Sequence, residues 1–175
     1  MPELYMIGGA NGSGKTTVSM SLLPKLLDCY EYVNADSIAA ALSPFAPEAT
    51  AIQAGRLMLD RIHHLTEQKK DFAFETTMSS RTFVPFLKKA KQNGYQINLL
   101  FMWLQNPSLA INRVSNRVRD GGHNIPEKII IRRYKRSLNN FLNLYLPLAD
   151  EWALYDNSSN IPATIAEKEF GESKS

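Results

Sequence analysis

The chain has 175 residues, enough for one domain around a single core. Hydrophobic residues make up 44% and charged residues 21%, ordinary globular usage that excludes a disordered or fibrous chain. A net charge of +3, one cysteine and no Cys/His grouping at zinc spacing exclude a disulfide framework and a zinc site. The first residues show no signal-peptide pattern, and the longest apolar run falls well short of the ~20 residues that span a bilayer. The expectation is one cytoplasmic domain over residues 1–175 with no membrane partner.

Leu4–Ile7 is an apolar run of strand length, followed by GGANGSGKTT. Gly9, Gly14, Lys15 and Thr16 satisfy G-x-x-x-x-G-K-[ST], and the motif has the strand before it and the helix after it that it requires. Such a loop binds a nucleotide through Gly9, Asn11, Gly12, Ser13, Gly14, Lys15, Thr16 and Thr17. Its glycines turn backbone amides onto phosphates and the helix N-terminus adds its positive end. Lys15 reaches the β and γ oxygens, and the Thr16 hydroxyl takes Mg²⁺. The helix extends to about Leu27, with Pro24 a kink or a stop.

A second strand is predicted over 31–35 (EYVNA), closed by Asp36. Ligands of open α/β sheets sit beyond the carboxyl ends of the strands, where Asp36 can orient an acceptor hydroxyl and take its proton. Asp followed by Ser and Ile-Ala-Ala is also an N-cap signal. A helix follows from about Pro47 to Thr66, with Ile52, Leu59 and Ile62 inward. The third strand, DFAFE at 71–75, ends on Glu75, either a metal-assisting acid or a substrate-binding carboxylate. Thr77 and Arg81 follow on the same loop and face the acceptor, although Arg81 alone reads better as a solvated helix start.

KQNGY at 91–95 is a helix stop and turn before a fourth strand at 95–104. Arg113 and Arg117 then fall at helical spacing, DGGHNIP breaks that helix, and Pro126 opens another with Ile130, Tyr134, Leu138, Phe141 and Tyr145 on one stripe. Two helices joined by a glycine loop, about 107–136, suit a lid that carries an arginine to the transferring phosphoryl group. Arg117 is the catalytic candidate there, beside Asp36 and Lys15, with Arg113, Arg119 and His123 on the same lid. Arg132, Arg133, Lys135 and Arg136 read as a solvated face. From Arg113 to Arg136 eight basic residues outnumber two acidic ones, a surplus that suits polyanions and keeps nucleic acid open as a partner. A fifth strand at 151–156 leads to LYDNSS, a polar loop suited to a nucleotide base, and a polar tail follows at about 170–175.

Alternating strands and helices define an α/β chain: a three-layer sandwich with a mainly parallel five-stranded sheet, P-loop kinase type, with a helical lid. No nucleophile elbow or metalloprotease motif competes with phosphoryl transfer.

The ordered set GGANGSGKTT, VNADSIA, AGRLMLDRI, FAFETT, RVSNRVRDGGHNIP and LYDNS, spanning roughly Leu4 to Ser158, resembles the zeta toxin family of P-loop kinases in its short bacterial form. The resemblance implies an ATP- or GTP-dependent, Mg²⁺-assisted kinase that phosphorylates a small-molecule hydroxyl, UDP-N-acetylglucosamine in the family's studied members, and an antitoxin partner over the nucleotide site. It implies Lys15 as the phosphate lysine, Thr16 as the Mg²⁺ ligand, Asp36 as the base, Glu75 and Thr77 as acceptor contacts, Arg117 as a lid arginine and Arg56 as a further acceptor contact. Two departures stand out. Ser79 occupies the place of the family's acceptor-loop arginine, with Arg81 displaced by two, and His123 replaces a second lid arginine. A kinase for a nucleoside, another sugar or a nucleic-acid 5′-hydroxyl is the enzyme alternative. A nucleotide-switched binding module without transfer activity is the other.

Overall fold

The computed structural model describes residues 1–169, and the polar tail expected at about 170–175 lies outside the described residues. Its strands are β1 (Glu3–Gly8), β2 (Tyr32–Val33), β3 (Phe72–Thr76), β4 (Gln96–Trp103), β5 (Glu151–Asp156) and β6 (Ala163–Lys168). They form one sheet in the order β2-β3-β1-β4-β5-β6, parallel from β2 to β5, with β6 antiparallel against β5. β1, β3 and β4 are near-continuous apolar runs because helices cover both of their faces.

Successive side chains of a strand point to opposite faces, so each central strand feeds two cores. Leu4, Met6, Phe72, Phe74, Ile97 and Leu99 pack with Ile62 and Leu65 of α3 (Ala51–Glu67) and with Phe86 and Leu87 of α4 (Phe83–Gln92). On the other face Tyr5, Ile7, Ala73, Leu100 and Met102 pack with Leu23 and Leu27 at α1 (Lys15–Leu26). A third cluster of Leu104, Ala110, Val114, Ile125 and Ile130 joins α5 (Pro107–Arg119) to α6 (Glu127–Asn140). Three layers result, with the P-loop at the C-terminal end of the central β1.

The mainly parallel sheet is the expected one, with β6 as an added strand. All six β6 residues are exposed, so it shows no alternation of apolar and polar side chains, and backbone pairing to β5 defines it. Ile52 is 77% exposed rather than inward. Pro47–Thr50 forms a separate 3-10 turn, and the helix proper buries Ala54, Met58, Ile62 and Leu65, a stripe on which Ile52 does not fall. β2 shrinks to two residues because α2 (Ala35–Leu42) begins at once, capped by Asn34. Pro24 lies inside α1 without ending it. The stripe of α6 holds: Ile130, Phe141 and Tyr145 are all but fully buried, and the helix ends in a π-turn over Phe141–Tyr145.

Candidate active site

The loop after β1 wraps the Lys15 side chain. Its buried ammonium donates to Gly9 O at 2.9 Å and Ala10 O at 3.1 Å, holding the turn closed from inside. Burial pushes the Lys15 pKa down, Glu75 and Asp36 oppose that shift, and Arg117 and Arg133 add to it. Gly14 enters α1 with φ 87°, and a Cβ there would lie 2.3 Å from Asn157 Nδ2. The close approach has a use, since Asn157 Nδ2 donates to Ser13 O at 2.7 Å. Arg113 adds a second tie, with Nη1 donating to Gly12 O at 3.4 Å and Nη2 to Ser158 O at 3.3 Å. The segment after β5 and the phosphate loop are thus one polar unit.

Strands β2 and β3 bring the acids. Glu75, only 8% exposed, accepts from Thr16 Oγ1 with both carboxylate oxygens at 3.0 Å and also from the Tyr32 hydroxyl. Burial and then the Glu75 charge push the Tyr32 pKa up, so the phenol remains a donor across the physiological range. Asp36 is not the helix cap. The Asn34 side chain takes that role, accepting from the N–H groups of Asp36 at 2.8 Å and Ser37 at 3.3 Å. The Asp36 side chain instead lines the cleft that Lys15, Thr16 and Glu75 share.

That cleft holds about 990 Å³ at the C-terminal edge of the sheet, the size of a small-molecule site. Arg113, Arg117 and Arg133 line it, whereas Arg56, Arg81, Arg119 and His123 do not. His123 Nδ1 lies instead 3.5 Å from Glu48 Oε2, at the edge of the 3-10 turn before α3. Arg133 is the residue that sequence reasoning missed. Its Nη1 donates to Asn11 Oδ1 at 3.1 Å, and burial, then Arg132, lowers its pKa against the pull of Asp36. The helix carrying it is fixed, because the Tyr134 hydroxyl donates to Leu104 O at 2.6 Å. A usable signal was its place three residues after the inward Ile130, at the margin of the buried stripe.

Thr77 also lines the cleft, on a loop tied twice to the end of α6 and once within itself. Asn140 Nδ2 donates to Met78 O at 2.8 Å, the Tyr145 hydroxyl to Ser80 O at 2.6 Å, and Thr77 and Ser79 share a hydroxyl bond at 2.7 Å. Met78 adopts φ 55° and sits against Gly8, where a Cβ would meet its Sδ at 2.3 Å. The π-turn at the end of α6 supplies Tyr145, so its irregularity serves this loop.

A glycine-rich loop between strand and helix, in a mainly parallel sheet whose strand ends carry acids opposite a set of arginines, defines a P-loop fold of kinase type. The chain belongs to the zeta toxin family: the family model described as Zeta toxin matches residues 1–160. An uncharacterized protein of Haemophilus influenzae is 33% identical over 127 residues, which cover 72% of this chain and 88% of that protein. Among solved structures, one from the PezAT chromosomal toxin-antitoxin system of Streptococcus pneumoniae is similar with TM-score 0.69 and 15% identity, over 95% of this chain and 72% of that one. The AvrRxo1-ORF1:-ORF2 structure with ATP is similar with TM-score 0.75 and 15% identity; the match covers 95% of this chain but 58% of that one, so this chain spans just over half its length. Deoxyadenosine kinase from M. mycoides with bound dATP is similar with TM-score 0.57 and 16% identity, over 91% of this chain and 93% of that one.

Proposed function

We propose that the chain transfers the γ-phosphoryl group of ATP or GTP to a hydroxyl of a small molecule. One observation carries the reading: Asp36, relieved of helix capping by Asn34, lines the same cleft as Lys15 and Thr16. A carboxylate placed there orients the acceptor hydroxyl and takes its proton as the oxygen attacks the γ phosphorus, while the bond to the β–γ bridging oxygen breaks. Lys15, released from the loop carbonyls by the stronger pull of phosphate, and the Arg117 and Arg133 guanidinium groups meet the charge that develops on the transferred and leaving oxygens.

The Thr16 hydroxyl and the Glu75 carboxylate are hard oxygen donors that fit Mg²⁺, which keeps several waters and takes few protein ligands. No group of three or more His, Cys, Asp or Glu suited to a metal occurs among the described residues, in keeping with an ion held jointly by protein and phosphates. When bound, Mg²⁺ neutralises phosphate charge. The direct Thr16–Glu75 bond supports a metal-side role for Glu75 over an acceptor contact.

Among the described residues no helix is long and apolar enough to cross a membrane, and use of ATP or GTP suits a cytoplasmic site of action. The PezAT match supports a proposed antitoxin partner over the nucleotide cleft. UDP-N-acetylglucosamine, the acceptor that the family resemblance implies, is the first compound to assay. The test incubates the protein with Mg²⁺, ATP and either that compound or a metabolite extract, and searches by mass spectrometry for species heavier by one phosphate. Such a species supports the reading. Tight ATP binding with no such species in repeated trials contradicts it and favours a nucleotide-switched binding module.

A further inference from the structure

The sheet order sets β2 and β3 together on one side of the phosphate loop, with β5 on the other. In the parallel pairing of β2 with β3, Tyr32 stands opposite Ala73, and both face the α1-side core. Glu75 lies two residues beyond Ala73 on the same face of β3, further toward the cleft. Two residues of strand rise about 6.6 Å, a distance that a phenol ring spans and a shorter side chain does not. The Tyr32 ring therefore packs in the core while its hydroxyl arrives at the Glu75 carboxylate.

Glu75 is buried, and among the described residues no ion pair includes it. Two hydroxyls hold it instead. Thr16 Oγ1 lies 3.0 Å from each carboxylate oxygen but has a single proton to give, so Tyr32, donating to Oε2, is the second donor. Asn34 Nδ2 lies 3.4 Å from Thr16 Oγ1 and 3.5 Å from the Tyr32 oxygen, and donates to both.

These bonds fix what is left of the Thr16 hydroxyl. Its proton goes to Glu75 and one of its two lone pairs to Asn34, so the other lone pair is free for Mg²⁺. The arrangement fails if the carboxylate turns elsewhere. Lys15 is the competing attraction, because the Glu75 charge already acts on its ammonium. A carboxylate that swung to Lys15 would leave the Thr16 proton unplaced and occupy the cation meant for phosphate. The Tyr32 hydroxyl, fixed by a ring that cannot move without disturbing the core, opposes that swing.

We infer that Tyr32 is a positioning residue: its hydroxyl holds the Glu75 carboxylate on Thr16 and so sets how much Mg²⁺ adds to the binding of a nucleoside triphosphate. The inference rests on the metal-side role proposed above for Glu75 and assigns the residue that maintains it.

The test compares the parent with Tyr32→Phe, which keeps the ring and removes the donor. Each protein is titrated with a fluorescent ATP analogue, once in EDTA and once in Mg²⁺. Affinity in EDTA is expected to stay at the parental value, while the gain on adding Mg²⁺ falls about tenfold, as for other residues that orient a metal ligand. Glu75→Gln is expected to lose that gain by itself, and adding Tyr32→Phe to it is expected to cost nothing more. An equal loss in EDTA and in Mg²⁺ would mean that the phenol merely supports the fold, and overturns the inference. So does an undiminished gain, or a full further loss in the Gln background. A parent that gains nothing from Mg²⁺ removes the metal-side reading and the inference with it. No acceptor enters these titrations. If no acceptor is ever phosphorylated while the Phe variant shows the expected loss, the kinase reading fails and the role of Tyr32 stands.

Discussion

The two sides of the cleft are built differently. On the nucleotide side, the P-loop, Asn157 and Arg113 form a bonded unit in which a donor meets the carbonyl of Gly9, Ala10, Gly12 and Ser13. On the acceptor side, Asp36 stands at an exposed helix start beside Met58 and Phe83, and the cations that the family pattern would place there are absent from the lining. Phosphate binding demands fixed backbone geometry, so it tolerates little change. An acceptor pocket is shaped by a few side chains and can be respecified by moving two arginines.

The largest expected effect lies where the two sides meet. Arg117→Ala or Arg133→Ala lowers phosphoryl transfer by about 10³, while titration with a fluorescent ATP analogue shows affinity within a few-fold of the parent. An Arg133→Ala protein that transfers at the parental rate would return Arg133 to the solvated face that its sequence suggested. Next come substitutions on the nucleotide side. Gly14→Ala forces a Cβ into a left-handed backbone and against Asn157, and Asn157→Ala leaves Ser13 O buried without its donor. Each is expected to cost about 1–3 kcal/mol in denaturant unfolding and to weaken nucleotide binding in parallel.

The acceptor side responds more gently. Tyr145→Phe removes the bond to Ser80 O, costs about 1 kcal/mol, and raises the acceptor KM with the ATP KM unchanged. A rise in both constants would show that the two sides do not behave separately. The smallest effect is electrostatic and shows in the pH dependence of stability. Burial lowers the Lys15 pKa below its ordinary 10.5, so the protonated side chain opposes folding at neutral pH, and this cost disappears as pH rises from the folded pKa to 10.5. Lys15→Met removes this pH-dependent cost together with the bonds to Gly9 O and Ala10 O, so the difference in melting temperature is expected to move in the parent's favour as pH rises from 7 toward 10.

The same contrast decides how much was legible in the sequence. The P-loop was readable because glycine, lysine and threonine at fixed spacing dictate local backbone geometry. The central strands were readable because burial on both faces makes them continuously apolar, as Leu4–Ile7 and Phe72–Phe74 are. β6 was not, since an edge strand exposed on both faces has no periodicity. Asn34 and Asp36 both favour an N-cap, and only the observed bonds to the Asp36 and Ser37 N–H groups show which one caps. The contact of Arg133 with Asn11 spans 122 residues and depends on how α6 docks through Tyr134, which no local pattern encodes.

The central claim is that Asp36 turns a phosphate holder into a phosphate donor. Its most direct test compares the parent with Asp36→Asn, measuring ATP affinity and the rate of acceptor phosphorylation on the same preparations. The account predicts an unchanged ATP affinity with transfer reduced by about 10² to 10⁴, the contribution of a positioned base. An Asn variant that phosphorylates the acceptor at the parental rate would contradict it.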